Sequence, residues 1–327
     1  MCLTRISLEE PTKRRWNNAI VELIRCGSTT DTNVWLRQSE EIALAVLPAH
    51  IIDCVRNVST GQIVGIHLTG VPENLNEQLK CCEHWRYGIT GIVLCGVGQI
   101  FGEVFGLKED GGHVVQNVRP QRRKEKTDSV SAVTNRSAIG FHLDAEILEH
   151  IGMGLMPHGL GLIGVRNRHA APTRFLLVDD IVRQLDGDTL AILGQERFML
   201  TLPEQLRVHC PKLRPVSVLR RCKTGGFALF TSPGTFVGVD AIAETAAARF
   251  QRAVDCVLEE AQNIVIGPGE LVLWSQHRLL HGRPEFNGER WLQRIYLARS
   301  LDRLQAIAGN TKVQRVFDAD FMFRQNT

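Results

Sequence analysis

The second half of the chain alternates between short apolar, β-branched runs and polar or glycine-containing turns. Such runs, six to eight residues long, recur from residue 137 to residue 298 and predict strands. Eight short strands with few helices between them favour a β-sandwich or jelly roll with helical insertions. The predicted strands cover 137–144, 159–166, 173–178, 197–202, 216–221, 226–231, 270–276 and 291–298.

The first third of the chain has a different pattern. Apolar residues recur at helical spacing over 12–57, and 77–97 also predicts a helix, which we expect to end at its glycines Gly96 and Gly98. Two further helices are predicted within the β-rich part, at 179–194 and 239–262, and short strands at 63–71 and 114–120. We therefore predict one domain over 1–327. It is mainly β, with helical insertions and a helical N-terminal region over 1–95 packed on a core over 96–300.

Composition excludes several classes of protein. The chain is 44% hydrophobic and 22% charged, as in ordinary globular proteins, and its net charge of +3 does not predict nucleic-acid binding. The N-terminus lacks the apolar run of a signal peptide, and no stretch reaches the ~20 apolar residues of a membrane span. The nine cysteines form no CxxC pair. We expect a cytoplasmic protein with reduced thiols, as a monomer or homodimer.

The predicted strand at 137–144 carries a possible metal-binding pair, His142 and Asp144. Residues i and i+2 of a strand point to the same side, so both side chains can approach one metal ion. Two histidines and one carboxylate that leave open positions are the ligands of non-haem Fe(II) oxygenases. His-x-Asp alone is common in proteins, so a second histidine is needed to support a metal site.

The segment 270–298 supplies that histidine. We predict a strand, a turn at His281-Gly282, a hairpin at Asn287-Gly288, and a returning strand that carries Arg294 beside His281. A guanidinium there can bind a carboxylate through two hydrogen bonds. His277 competes with His281 for the ligand position, and we favour His281 because of the glycine that follows it.

These motifs resemble the Fe(II)/2-oxoglutarate-dependent oxygenases, in particular the taurine dioxygenase and clavaminate synthase-like branch. The similarity extends over about residues 96–300. It rests on the glycine-rich segment 96–120, the His-x-Asp box at 141–146, the segment 167–181 with its threonine, and the distal His and Arg segment 276–297. The resemblance implies a double-stranded β-helix, a jelly-roll variant.

The resemblance also implies roles for individual residues. His142, Asp144 and His281 are expected to bind Fe(II). Arg294 is expected to pair with the distal carboxylate of 2-oxoglutarate, supported by the hydroxyl of Thr173. The enzyme would use O2 to hydroxylate an amino acid or an amino-acid-derived metabolite, free or tethered to a carrier protein, with formation of succinate and CO2.

Substrate recognition departs from the family pattern. Family members that take arginine have acidic residues just before the long helix, whereas this chain has Thr231, Ser232 and Gly234, which disfavours a guanidinium substrate. The family's second arginine, four residues after the first, would fall at Ala298, and Arg299 faces the other way on a regular strand. Candidate substrate residues are Gln116, Ser131, Glu146, Ser232 and Arg299.

Several alternatives stay open. The polar stretch 121–136 and the basic stretch 203–225 are candidate lids, although the second also fits a solvated basic face. The same iron site would serve desaturation, epoxidation or ring closure. A non-catalytic jelly-roll binding protein and a zinc hydrolase are alternatives from other classes, and neither would require Arg294.

Overall fold

A computed structural model describes residues 3–26, 31–73, 88–119, 138–152, 154–201, 214–309 and 314–325. Helix makes up 40% of this structure and strand 28%. The fold is therefore a mixed α/β fold with several sheets, and the prediction of a mainly β chain is wrong in its proportions. Candidate lid 121–136, residues 203–213 of the second candidate lid, and Ser131 lie outside the described residues.

The helical N-terminal region is confirmed. Pro48 divides the predicted helical stretch, since α2 ends at Val46 and α3 begins at Ala49. The side chain of Asp31 caps α2 by accepting hydrogen bonds from the backbone N–H groups of Asn33 and Val34. The helices are α1 Glu10–Arg25, α2 Thr32–Val46, α3 Ala49–Thr60, α4 Gly88–Phe101, α5 Ile147–Ile151, α6 Val178–Val182, α7 Gly187–Leu193, α8 Ala241–Cys256, α9 Asp302–Ile307 and α10 Ala319–Gln325.

All eight strands predicted beyond residue 137 are present, with shifted ends, and others were missed because they are short or carry polar residues. The strands are β1 Thr4–Ser7, β2 Gly65–Thr69, β3 Glu103–Leu107, β4 Gln116–Val118, β5 Ile139–His142, β6 Gly159–Asn167, β7 Pro172–Leu177, β8 Phe198–Leu200, β9 Leu219–Arg221, β10 Phe227–Leu229, β11 Phe236–Gly238, β12 Gln262–Val265, β13 Glu270–Ser275, β14 Leu279–Arg283, β15 Arg290–Ala298 and β16 Val316–Phe317.

Two sheets provide the framework of the site. The larger has eight strands in the order β1-β2-β13-β6-β15-β3-β16, with β4 also paired to β15. The smaller has four strands in the order β12-β7-β14-β5. There are two further two-stranded ladders, β9 with β10 and β8 with β11.

The larger sheet is buried on both faces. Along β13, Leu271 and Leu273 pack in a cluster with the N-terminal helices, whereas Val272 and Trp274 pack in a second cluster with the smaller sheet. This alternation is the period of two expected of a strand. The side chains of β15 also alternate between these two clusters. The face of β15 that packs in the second cluster points towards the smaller sheet, which contains β14.

The glycines of α4 do not end the helix as predicted. The helix continues to Phe101, and both glycines provide close contacts. A Cβ at Gly96 would lie 2.5 Å from the carbonyl oxygen of Ser39 in α2, and one at Gly98 would lie 2.5 Å from Ile295 Cδ1 in β15. Gly96 therefore permits close approach of the α2 backbone, whereas the contact at Gly98 is with the end of a flexible side chain. Sequence pattern alone does not distinguish such packing glycines from glycines that end a helix.

The predicted hairpin at Asn287-Gly288 is wrong. Strand β14 pairs with β5 and β7, whereas β15 pairs with β6, β3 and β4, so the connecting residues cross from one sheet to the other. His281-Gly282 also lies within β14 rather than at a turn. A Cβ at Gly282 would lie 2.9 Å from the Ile139 carbonyl oxygen, so this glycine permits close approach of β5.

Two further features concern the chain as a whole. None of the helices in the described ranges is long and apolar enough to cross a membrane. The cysteines that the structure describes are free thiols.

Candidate metal centre

Three side chains that are distant in sequence converge between the two sheets. One ligand atom from each of His142, Asp144 and His281 lies within 4.8 Å of the others. His142 Nε2 is 3.4 Å from Asp144 Oδ1, and His281 Nε2 is 3.7 Å from Asp144 Oδ2. Both imidazoles and the carboxylate therefore face one small volume.

Strand pairing places the two histidines. In the antiparallel ladder of β5 and β14, His142 lies directly opposite His281, and their ring centroids are 4.3 Å apart. His281 alternates with Leu280, so it points to the interior between the sheets while Leu280 packs in a different cluster. Trp274 of the larger sheet lies 5.3 Å from the His281 ring, centroid to centroid, and covers it from the other side.

Asp144 lies in a turn beyond the end of β5, so strand alternation does not place it as predicted. The buried side chain of Gln276 holds it instead. Gln276 Oε1 accepts a hydrogen bond from the Asp144 N–H, and Gln276 Nε2 donates to the Asp144 carbonyl oxygen, each at 2.9 Å. The next residue, Ala145, has a φ of 54°, a left-handed conformation rare outside glycine.

Hydrogen bonding prepares the imidazoles to act as ligands. His142 Nδ1 lies 2.9 Å from the Gly140 carbonyl oxygen, which can only accept, so Nδ1 carries a proton and Nε2 is the nitrogen that faces Asp144. Burial opposes protonation of His142, but the Asp144 carboxylate outweighs this effect and raises the pKa of the imidazole. Burial, with a contribution from His142, lowers the pKa of His281 to about 3, which keeps this imidazole neutral. Burial opposes ionisation of Asp144, but the Arg294 guanidinium outweighs it and holds the pKa of this carboxyl below its usual range.

This donor set fits a non-haem Fe(II) ion. Two neutral imidazole nitrogens and one carboxylate are the expected ligands, and three protein ligands leave positions open. The buried His281 Nδ1 has no hydrogen-bond partner among the described residues. The nitrogens that face the Asp144 carboxylate are the Nε2 atoms of both histidines, at 3.4 and 3.7 Å, so these two atoms and the carboxylate are the donors available to a metal.

His277, the alternative ligand, lies outside the cluster. Its ring packs on Phe230 at 4.6 Å and on His158 at 5.8 Å between centroids, and its Nδ1 is 3.1 Å from the Leu229 carbonyl oxygen. Burial, followed by the effect of His158, lowers the pKa of His277 to about 3. Its surroundings are those of a neutral core residue.

Arg294 lies against the metal-binding carboxylate. Its Nη1 donates to Asp144 Oδ2 at 2.7 Å, its Nε donates to Gln116 Oε1 at 2.6 Å, and its Nη2 lies 3.3 Å from Asp110 Oδ1. Tyr296 donates to the other Asp110 oxygen at 2.7 Å. Arg294 is thus neutralised by two carboxylates of the protein itself.

A second arginine on the same strand was missed by the sequence analysis. Arg290 is buried, and its Nη2 donates to Thr173 Oγ1 at 2.7 Å, so the partner of the predicted threonine is an arginine that the sequence analysis did not select. Its Nε has no partner, and none of the ion pairs in the described ranges involves it. Burial, with Arg283 nearby, lowers the pKa of Arg290 to about 9.

Arg290 lines a pocket that also contains both histidines. Three other arginines line the same pocket, Arg119, Arg283 and Arg294. Arg283 stacks over Phe286 with its Cζ 4.4 Å from the ring centroid. The pocket beside the metal centre is therefore strongly cationic and suited to an anionic ligand. The sequence feature that could have indicated this cationic pocket is the pair of arginines four residues apart on one strand, at 290 and 294.

The candidate substrate residues are spread around this centre. Gln116 contacts Arg294, and its Nε2 is buried without a partner. Glu146 accepts hydrogen bonds from the Ser232 N–H and the Thr235 hydroxyl, and Ser232 Oγ accepts one from the Leu143 N–H at 2.9 Å. Burial raises the pKa of Glu146. Arg299 is exposed and donates to the Ser59 carbonyl oxygen, so the structure does not bring it to the site.

The substitution Gln276→Leu tests how Asp144 is held. It removes the hydrogen bonds to Asp144 and one to the Pro157 carbonyl oxygen, and it leaves those backbone groups buried. We expect a loss of about 2–5 kcal/mol in the free energy of unfolding and iron affinity about 10–100-fold weaker. Urea denaturation and Fe(II) titration measure the two effects. Gln251→Leu, at a helix glutamine that bonds to Asp255, is the control; equal effects in both variants would contradict this role.

Comparison with known proteins agrees with this geometry. No family model matches the chain. A curated relative, enduracididine beta-hydroxylase of Streptomyces hygroscopicus, is 27% identical over 190 residues, which span 47% of this chain and 53% of that protein. The matched region thus covers about half the length of the curated relative.

Solved structures match almost the whole chain. An asparagine oxygenase in complex with Fe(II), 3-hydroxyasparagine and succinate superposes with a TM-score of 0.77 at 20% identity, covering 96% of this chain and 99% of that one. The non-heme iron oxygenase OrfP, in complex with Fe, succinate and (3S)-hydroxy-L-Arg, gives a TM-score of 0.79 at 19% identity with the same coverage. The resemblance predicted from the sequence is confirmed, because the chain has the fold of the non-haem iron oxygenases and brings the His-x-Asp pair and the distal histidine together.

Proposed function

We propose that the protein is an Fe(II)- and 2-oxoglutarate-dependent oxygenase that hydroxylates an amino acid or an amino-acid-derived metabolite. The observation that carries this proposal is the cluster of His142, Asp144 and His281 beside a buried arginine that has no carboxylate partner in the described ranges. A zinc hydrolase would need the ligands but not the arginine. A binding protein would need neither.

We assign the distal carboxylate of 2-oxoglutarate to Arg290 rather than to Arg294. Arg290 lines the same pocket as the two histidines, its Nε lacks a partner, and Thr173 holds its guanidinium from one side. A planar guanidinium can bind a carboxylate with two parallel hydrogen bonds. An incoming dianion would also relieve the cost of burying an unpaired charge.

In this assignment Arg294 has a different role, which is to orient a metal ligand. Its bond to Asp144 Oδ2 orients that carboxylate, and outer hydrogen bonds of this kind tune a metal ligand. Arg290 and Arg294 then form the pair of arginines four residues apart that the resemblance had led us to expect at positions 294 and 298.

The bound iron, 2-oxoglutarate and O2 supply an oxidant able to attack an unactivated C–H bond, with release of succinate and CO2. The residues of this chain bind and orient. His142 presents Nε2 because Gly140 fixes its tautomer, Arg290 and Thr173 hold the cosubstrate, and Trp274 covers His281 and excludes water. Desaturation, epoxidation or ring closure would use the same centre.

The amino-acid class of substrate rests on the relatives. The similar structures hold hydroxylated asparagine and arginine, and the curated relative is named for hydroxylation of enduracididine. We extend this class to the present chain, with the substrate free or carrier-bound. We also infer one domain with a double-stranded β-helix core, which the two facing sheets and the packing of the N-terminal helices support.

The test of the proposed function is Fe(II)-dependent conversion of 2-oxoglutarate to succinate without added substrate. We expect succinate above the metal-free background with Fe(II) and none with Zn(II). A hydrolase would instead be active with zinc and would not consume 2-oxoglutarate. Absence of turnover with Fe(II), in protein shown to contain iron, would contradict the proposal.

The substitution Thr173→Val examines the cosubstrate pocket. It keeps the shape but removes the acceptor of the Arg290 hydrogen bond. We expect the KM for 2-oxoglutarate to rise about 3–10-fold, since one hydrogen bond contributes about 1 kcal/mol. Thr245→Val, whose hydroxyl bonds only within α8 to the Ala241 carbonyl oxygen, is the matched control and should leave KM unchanged. Equal KM values for the wild type and Thr173→Val would count against the assignment.

A further inference from the structure

We infer that Asp110 is a positioning residue of the metal centre, which fixes Arg294 and offsets its positive charge so that the centre binds a divalent cation more tightly. Asp110 is not one of the three clustered ligands, and it does not line the arginine-lined pocket. It therefore acts through Arg294. The inference rests on the proposed function, because it concerns the affinity of the same centre for Fe(II).

Arg294 places a positive charge directly beside the carboxylate of the metal cluster. Its Nη1 donates to Asp144 Oδ2 at 2.7 Å, and the arginine side chain is only 5% exposed, so water screens this charge weakly. A cation in this position repels a metal ion and competes with it for the negative charge of the carboxylate. Arg294 thus orients Asp144 but opposes metal binding unless another group compensates its charge.

Asp110 supplies that compensation. Its Oδ1 lies 3.3 Å from Arg294 Nη2, and its Oδ2 accepts a hydrogen bond from the Tyr296 hydroxyl at 2.7 Å. The Asp110 side chain is 15% exposed, so its charge also acts with little screening. One guanidinium between two carboxylates has a net formal charge of −1, whereas Arg294 and Asp144 alone are neutral together. The second carboxylate therefore favours a divalent cation at this centre.

A tight turn fixes the backbone at Asp110. This residue ends a short 3-10 helix, Lys108–Asp110, and Gly111 and Gly112 follow with φ values of 98° and 72°. The N–H groups of both glycines donate to carbonyl oxygens at the start of the turn, each at 3.1 Å. A Cβ at either glycine would meet nothing within 4 Å, so the left-handed backbone and not the space favours glycine here. The turn holds Asp110 against Arg294.

The C-terminal part of the chain holds the same 3-10 helix from another side. Lys108 Nζ lies 3.2 Å from Asp318 Oδ2, and Glu109 Oε1 accepts a hydrogen bond from the Asp320 N–H at 3.0 Å. Each of the three charged residues of this helix thus has a different partner. Lys108 and Glu109 anchor the helix, whereas Asp110 contacts the metal centre through Arg294.

The substitution Asp110→Asn separates charge from shape, because the amide oxygen can still accept hydrogen bonds but the negative charge is lost. We expect the Kd for Fe(II) to rise about 10-fold, the lower end of the effect of outer partners of a metal ligand. The Kd for 2-oxoglutarate in the iron-loaded protein should fall, because the centre becomes more positive. Calorimetry without oxygen measures both constants. A merely structural defect would weaken the binding of both the cation and the anion.

Tyr296→Phe and Asp179→Asn are the matched controls. The first removes a hydrogen bond to Asp110 but keeps its charge. The second breaks an aspartate–arginine pair, with Arg278 at 2.6 Å, that contains no residue of the metal cluster. We expect both controls to leave the two Kd values unchanged. Asp110→Ser, which removes the same charge in a smaller side chain, should reproduce the shifts of Asp110→Asn and replaces it if the asparagine variant does not fold.

An unchanged Kd for Fe(II) in Asp110→Asn, or weaker binding of both Fe(II) and 2-oxoglutarate, would overturn the inference. Succinate formation by the wild-type protein without added substrate tests the proposed function separately. An active wild type together with an unchanged Fe(II) affinity in Asp110→Asn would refute the role of Asp110 alone, so the two failures are distinguishable.

Discussion

Asp144→Ala is expected to abolish Fe(II)-dependent conversion of 2-oxoglutarate to succinate. The substitution removes the only carboxylate of the metal cluster and also the acceptor of Arg294 Nη1. Loss of an outer partner of a metal ligand already costs about 10–100-fold, so loss of the ligand itself should exceed that. His281→Ala should have the same effect. Iron content after dialysis and succinate formation measure both variants.

His277→Ala is the control for these variants. This histidine lies four residues before His281 but outside the cluster. We expect it to reduce stability, because a buried ring is lost, while the folded protein retains one iron per chain. Stoichiometric iron in Asp144→Ala, or loss of iron in His277→Ala alone, would show that the metal is bound elsewhere.

Arg290→Gln is expected to give the second-largest effect. If Arg290 binds the distal carboxylate of 2-oxoglutarate, truncation should raise the KM for this cosubstrate by about 30–5,000-fold, the equivalent of about 2–5 kcal/mol. Arg290→Lys keeps a charge but loses the planar fork, so its effect should be intermediate. Steady-state succinate formation over a range of 2-oxoglutarate concentrations measures each KM.

Arg294→Gln separates the two arginines. It leaves Asp144 and Asp110 buried without their shared cation, so we expect weaker iron binding and a smaller change in the KM for 2-oxoglutarate. If Arg294→Gln instead raises this KM more than Arg290→Gln does, the cosubstrate is bound by Arg294, as the sequence analysis predicted.

The strands that carry His281 and Arg294 do not meet through the predicted hairpin, although both side chains lie near the metal cluster. Asn287-Gly288 predicted that the returning strand would pair with the strand of His281. In the structure β14 and β15 belong to different sheets, and Arg294 reaches Asp144 across the interior because it faces inward between Leu292 and Tyr296. Turn propensity describes four residues, whereas the choice of partner strand depends on the whole sheet.

Gln276 and Arg290 show what local sequence does not reveal. Gln276 contacts Asp144 across 132 positions, and Arg290 contacts Thr173 across 117. Neither residue forms a motif with its partner, so no spacing rule connects them. Their roles depend on hydrogen bonds between buried polar groups, and these bonds can be identified only from the folded structure.

The amino-acid sequence by itself determined the eight strands predicted beyond residue 137, the N-terminal helices and the three residue types suited to iron, because periodicity and ligand chemistry are local properties. The tertiary structure alone decided which side chains meet. It set His142 opposite His281 by strand register, held Asp144 through Gln276, and paired Arg290 with Thr173. The physical reason is that hydrogen bonding and charge compensation depend on distances in space, which burial between two sheets imposes.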